Sequence, residues 1–237
     1  MSATTPSAPS FLLAVDDAGE FLVAVGDTLR IGHSRASDVD LPFLADVPSH
    51  AAILRLVEDF HAGARWCIAP EVGANLVVNT REIGTGGVAL ADGDEVRLAR
   101  NLAFRFAAKE RGSSAARLEL AGGTECRGAP RVLLLPVGEG GRARIGNSAA
   151  RTIPVADLEH EIELAAENSS VGSSVTVRCV VGVAPTSSTV PTRGSAEPEA
   201  RLALPLTLQV TLVARARPAG KAPFALIFRP VRPSLDG

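Results

Sequence analysis

Arg30-Ile31-Gly32-His33-Ser34-Arg35-Ala36 recurs 114 residues further on as Arg144-Ile145-Gly146-Asn147-Ser148-Ala149-Ala150, identical at five of seven positions. At the same offset residues 88–98 align with residues 202–212, sharing Ala89/Ala203, Leu90/Leu204, Val96/Val210 and Leu98/Leu212. Ala103-Phe104-Arg105-Phe106 then matches Ala225-Leu226-Ile227-Phe228 after a further shift of eight. Two matches at one offset read as two copies of one unit, the second diverged.

Around these matches the apolar runs are short and rich in Val, Leu and Ile. Phe21-Leu22-Val23-Ala24-Val25, Trp66-Cys67-Ile68 and Leu102-Ala103-Phe104-Arg105-Phe106 are examples, each bounded by Gly, Pro, Asp or Asn. Close, regular spacing of such runs predicts strands in a sandwich or barrel. The best helical candidate, residues 158–167, contains Glu161-Ile162-Glu163-Leu164, which alternates as a strand does. The expected fold is all-β, with two β-sandwich domains in tandem.

The expected boundaries follow from composition. Residues 1–10 are a Ser/Thr/Pro/Ala tail, 11–108 the first sandwich and 109–114 a polar linker. Residues 115–232 form the second sandwich and 233–237 a short tail. Residues 184–200 carry Pro185, Pro191 and Pro198 with little to bury, and read as a long loop. Thr4 and Thr5 in the first tail are candidate phosphorylation sites.

Composition narrows the function. With 24 Lys+Arg against 26 Asp+Glu and a net charge of -2, the chain has no electrostatic case for nucleic acid or an anionic membrane. No apolar stretch reaches the roughly 20 residues that span a bilayer. Cys67, Cys126 and Cys179 are scattered, without a CxxC spacing, so neither a disulfide framework nor a cysteine zinc site is expected. The expected location is the cytoplasm.

In the first copy, Gly26-Asp27-Thr28-Leu29-Arg30-Ile31-Gly32-His33 precedes Asp38-Val39-Asp40-Leu41 and Ser49-His50-Ala51-Ala52-Ile53. Val78-Asn79-Thr80 and Leu90-Ala91-Asp92-Gly93-Asp94-Glu95-Val96 follow. In order and spacing this resembles the forkhead-associated (FHA) domain over residues 11–106. The resemblance implies a β-sandwich whose loops at one end bind phosphothreonine peptides. The family's phosphate-binding arginine falls on His33, its phosphate-contacting serine on Val47 and its peptide-holding asparagine on Ala74. The candidate ligand contacts are therefore His33, Ser34, Arg35, Ser49 and Asn75, a degenerate form of the site. Imidazole carries fewer donors than guanidinium and is mostly neutral at pH 7. Gly32, His50, Asn79, Gly93 and Asp94 take structural places, with His50 bracing the loops.

Other motifs carry little chemistry. Asp92-Gly93-Asp94 lacks the further carboxylates of a calcium loop and reads as a turn. Gly138-Glu139-Gly140-Gly141-Arg142 has no lysine and no following helix to cradle a phosphate, so it reads as a hairpin turn. His33, His50, His61 and His160 fall in no catalytic or metal-binding motif. The expectation is a protein-interaction module with a protein partner, by the resemblance one carrying phosphothreonine. It is not an enzyme and has no cofactor or metal. The alternative is an assembly protein that uses its paired sandwiches to oligomerise.

Overall fold

A computed structural model describes residues 8–59, 63–138, 140–169, 172–179, 199–204, 206, 209–214 and 224–231. Thr4, Thr5, His61, most of the 184–200 loop and the 233–237 tail lie outside the described residues. All regular structure in the described residues is β. The first half comprises β1 (Ser10–Val15), β2 (Gly19–Val25), β3 (Thr28–His33), β4 (Leu41–Phe43), β5 (Ala52–Asp59), β6 (Gly63–Pro70), β7 (Val77–Val78), β8 (Arg81–Glu82), β9 (Val88–Ala89), β10 (Glu95–Ala99) and β11 (Leu102–Ala107). The second comprises β12 (Ala116–Leu120), β13 (Arg131–Leu135), β14 (Arg142–Gly146), β15 (Ile153–Pro154), β16 (Ile162–Ser169), β17 (Gly172–Cys179), β18 (Glu199–Ala203), β19 (Val210–Ala214) and β20 (Phe224–Pro230).

These strands form three sheets. One has ten strands in the order β19-β20-β1-β2-β13-β12-β11-β10-β7-β8. The others have five each, β4-β3-β5-β6-β9 and β15-β14-β16-β17-β18. The repeated Arg-Ile-Gly segments occupy equivalent places, at the ends of β3 and β14.

The centre of the long sheet explains the least alternating sequence. Leu22 and Ala24 of β2 enter one core, with Leu29, Ile31, Leu54 and Trp66 of the first small sheet. Phe21, Val23 and Val25 of the same strand enter a second core, with Ile145, Leu164 and Val177 of the other small sheet. The neighbouring β13 divides likewise: Val132 and Leu134 to the first core, Leu133 and Leu135 to the second. Successive side chains of a strand point to opposite faces, so a strand covered on both faces must be apolar throughout. The protein is a three-layer stack around β2 and β13, which pair in parallel from Leu22↔Val132 to Val25↔Leu135.

The two cores do not divide the chain where the repeat does. The β12–β13 hairpin supplies Ala116, Leu118, Val132 and Leu134 to the first core, and β12 pairs with β11. Phe11, Leu13 and Val15 of β1 enter the second core instead, and β1 pairs with β20. There Phe11 and Phe228 lie with ring centroids 5.8 Å apart. Each copy's opening hairpin thus lies beside the other copy's last strand. Residues 109–114, expected as a linker, connect neighbouring strands β11 and β12 of one sheet. They are anchored, too: Trp66 Nε1 donates to the Ser114 carbonyl at 2.7 Å, and Glu110 is buried. Residues 8–10, expected in the tail, are also held, with Ala8 N donating to Asp40 Oδ1 at 2.5 Å and Val25 N to the Pro9 carbonyl at 2.9 Å. Glu199 and Ala200, expected in the long loop, begin β18.

Gly138, Gly140 and Gly141 lie between layers, because β13 and β14 belong to different sheets. A Cβ on Gly141 would lie 2.0 Å from the Pro136 carbonyl oxygen, so only glycine fits. Cys126 is fully buried, and burial pushes its thiol up to about 12.

Because β12 and β13 complete the first core, a fragment of residues 1–114 is expected to show no cooperative unfolding transition. It would expose the β11 edge and one face of Phe104 and Phe106. A folded fragment, with a cooperative melt and a dispersed amide spectrum, would refute this architecture.

Candidate functional site

The first small sheet brings one end of β3, the segment before β5 and the end of β6 together. Gly32 makes this approach possible. A Cβ there would lie 1.9 Å from the Ser49 carbonyl oxygen and 2.8 Å from Val39 Cγ1. The His33 N–H is shared between the Pro48 and Ser49 carbonyls at 3.1 and 3.2 Å, and Ala51 N donates to the Ile31 carbonyl at 2.8 Å. Residues 48–51 are therefore clamped onto the end of β3.

Polar side chains hold the 34–40 loop to this clamp. His50 Nε2 meets Asp38 Oδ1 at 2.8 Å, and Arg30 Nη1 lies 3.8 Å from Asp38 Oδ2. The backbone N–H of Arg30 donates to Asp40 Oδ2 at 2.8 Å. The His50 hydrogen bond, opposed by partial burial and assisted by the charges of His50 and Arg30, holds the Asp38 carboxyl below its ordinary value. Around this chain lies an open depression of about 480 Å3 lined by Arg30, Asp38, Pro48, Ser49, His50, Glu71 and Val72. Val72 is 95% exposed at its edge.

The five ligand contacts expected from sequence do not converge there. Ser49 lines the depression. His33 is tied to its own loop, its Nδ1 accepting the Arg35 N–H at 3.1 Å, which leaves the ring proton on Nε2. Ser34 donates its N–H to the Phe43 carbonyl at 3.0 Å. Arg35 and Asn75 are exposed, and neither they nor His33 and Ser34 line the depression. Arg30, Asp38, Glu71 and Val72 do, and sequence reasoning passed over them. Arg30 and Asp38 stand inside the quoted motifs, where the signal was available; Glu71 and Val72 carried none.

The residues given structural places make local bonds. Asn79 and Thr80 join β7 to β8 with φ of 56° and 107°, the paired positive values of a tight two-residue hairpin. Asn79 Nδ2 donates to Asp94 Oδ1 at 2.7 Å, and its Oδ1 accepts the Glu95 N–H at 2.9 Å. Asp94 Oδ2 accepts the Ala91 N–H at 2.8 Å, and Gly93 turns with φ of 92°. Among the described residues no group of three or more His, Cys, Asp or Glu could hold a metal.

At the matching end of the second copy, ion pairs fill the space. Glu110, from the segment between β11 and β12, accepts from Thr152 N at 3.1 Å and Thr152 Oγ1 at 2.5 Å. Arg144 and Arg151 approach its other oxygen at 3.4 and 3.7 Å. Arg144 also meets Glu163 at 3.3 Å, and Arg151 Nε meets Glu161 at 2.6 Å. Three carboxylates, Glu110, Glu161 and Glu163, thus neutralise the guanidinium groups of Arg144 and Arg151.

Two outcomes test the local account. His50→Ala should lower the melting temperature by about 2 °C at most, since partly exposed ion pairs contribute little. Because the folded Asp38 pKa is depressed, its contribution is present above the unfolded value of about 3.9 and is lost as pH falls through the folded value. The melting difference between wild type and Asp38→Asn should therefore vanish in acid, and a difference that persists at pH 2.5 would contradict the assignment. Separately, Thr80→Gly should stabilise the protein by about 1 kcal/mol by relieving a β-branched residue from positive φ, read by urea unfolding; unchanged or reduced stability would refute the strain.

No family model matches the sequence and no curated protein matches it, so the forkhead-associated resemblance rests on the quoted motifs alone.

Proposed function

We propose that the chain is a protein-interaction module that holds a non-phosphorylated segment of its partner against the loop end of the first small sheet. The observation that carries this reading is the open depression around Arg30, Asp38, His50 and Glu71, with Val72 exposed at its edge. It offers a polar floor beside an apolar anchor, the combination that interfaces use for orientation and for affinity. Its charge argues against phosphate. Arg30 is the single guanidinium of the lining and faces Asp38, while Glu71 adds a second carboxylate. A phosphate dianion would meet two negative charges at close range, which disfavours it even with solvent screening.

An assembly role is the second reading, favoured by the ten-stranded sheet that joins the two copies.

Pull-down of partner-derived peptides, in matched phosphothreonine and threonine libraries, tests the first reading. Binding should be retained by the unphosphorylated set and weakened about tenfold by Val72→Asp, comparable to losing one well-placed contact. His33→Arg should gain no phosphopeptide affinity, because His33 lies outside the depression. Selective capture of the phosphorylated set, strengthened by His33→Arg, would overturn the proposal.

A further inference from the structure

Among the described residues three large apolar side chains are exposed: Leu44 at 81%, Val57 at 47% and Val72 at 95%. Val57 lies at the far end of β5, opposite Arg65. The two most exposed share the loop end of the first small sheet. A lone apolar side chain on a surface needs no explanation, whereas two that flank an open depression call for one.

The backbone holds both outward. Val72 stands at the corner of a tight turn closed by the Ala74 N–H on the Glu71 carbonyl at 3.0 Å, with Gly73 at φ 80°. Leu44 follows β4 in a stretch that alternates. Phe43, Ala45 and Val47 are buried, while Leu44, Asp46 and Pro48 are exposed. That alternation is the period of an extended chain, and it turns Leu44 away from the core.

Strand order sets their separation. Leu41, Ile31, Ala52 and Pro70 form one row across β4, β3, β5 and β6. Leu44 lies three residues past one end of that row, and Val72 two past the other. Three strand spacings amount to about 14 Å, the length of about four residues of extended chain. Between the two, the segment joining β4 to β5 passes over the end of β3, where the His33 N–H holds the Pro48 and Ser49 carbonyls. The depression, with His50 and Glu71, lies on this path. Glu71 meets no cation among the described residues.

We infer that the partner segment crosses these strand ends in extended form, with the pattern apolar–x–basic–x–apolar. One apolar side chain packs on Val72 and the other on Leu44. The lysine or arginine between them enters the depression within reach of Glu71. This rests on the reading of the depression as a binding site and names the chemistry of what it binds. The period of two turns all three side chains to the same face of the segment. Two apolar anchors supply affinity, and the central charge fixes register.

Nine-residue synthetic peptides of serine and glycine test this on the full-length chain by fluorescence anisotropy. Each carries two leucines spaced by two, four or six positions, with lysine, serine or glutamate between them. The spacing of four with a central lysine should bind best. Leu44→Asp and Val72→Asp should each weaken it about tenfold at an unchanged melting temperature, because both side chains are exposed. Glu71→Lys should move the preference from central lysine to central glutamate. Binding that Val72→Asp weakens but that ignores leucine spacing and Leu44→Asp would overturn this inference and leave the depression a site. Failure of every peptide to bind the wild type would overturn both.

Discussion

Everything in this fold depends on two adjacent strands that have no solvent face. β2 and β13 are buried on both sides, so their side chains serve two cores at once, and no position on either can carry a lone charge without loss. Arg131, at the start of β13, respects this rule by lying over the Phe21 ring, 4.8 Å from its centroid. The parallel pairing of the two strands places one small sheet above and the other below. From that arrangement follows the exchange of hairpins: each β1-like strand can reach only the last strand of the other copy.

The forms of order legible in the sequence were the local ones. Phe21-Leu22-Val23-Ala24-Val25 announces a strand, and its lack of alternation announces cover on both faces. It cannot announce which copy provides the cover, because burial is the same whichever sheet supplies the neighbours. Residues 109–114 make a related point. Glu110 is charged and looks solvated in sequence, yet it is buried against Thr152 and paired with the half-buried Arg144 and Arg151, all distant in the chain. A charge whose partners are remote has no local signature.

The site was legible in part. The glycine and histidine of the motifs make the contacts that shape the loops: Gly32 admits the Ser49 carbonyl, and His50 reaches Asp38. The ligand contacts that the resemblance implied did not converge, since a motif does not say which way a loop side chain turns. His33 shows the point. One hydrogen bond to a backbone N–H two residues away is enough to commit its Nδ1 to the loop itself. The second copy goes further, replacing an open end with ion pairs around the buried carboxylates of Glu110 and Glu163, where removal of a guanidinium would strand a buried charge.

The exchange of hairpins also sets the order in which the molecule can be made. During synthesis the first core must wait for β13, and the phenylalanine of β1 must wait for Phe228, more than two hundred residues later. The opening hairpin therefore emerges long before its partners exist, with Phe11, Leu13 and Val15 unprotected. Pairings this distant in sequence make for slow folding, because loop-closure entropy is spent before the contacts form. A nascent chain of this design carries an adhesive β1–β2 hairpin until β20 leaves the ribosome, so its yield in a cell is governed by how well that hairpin is shielded in the interval.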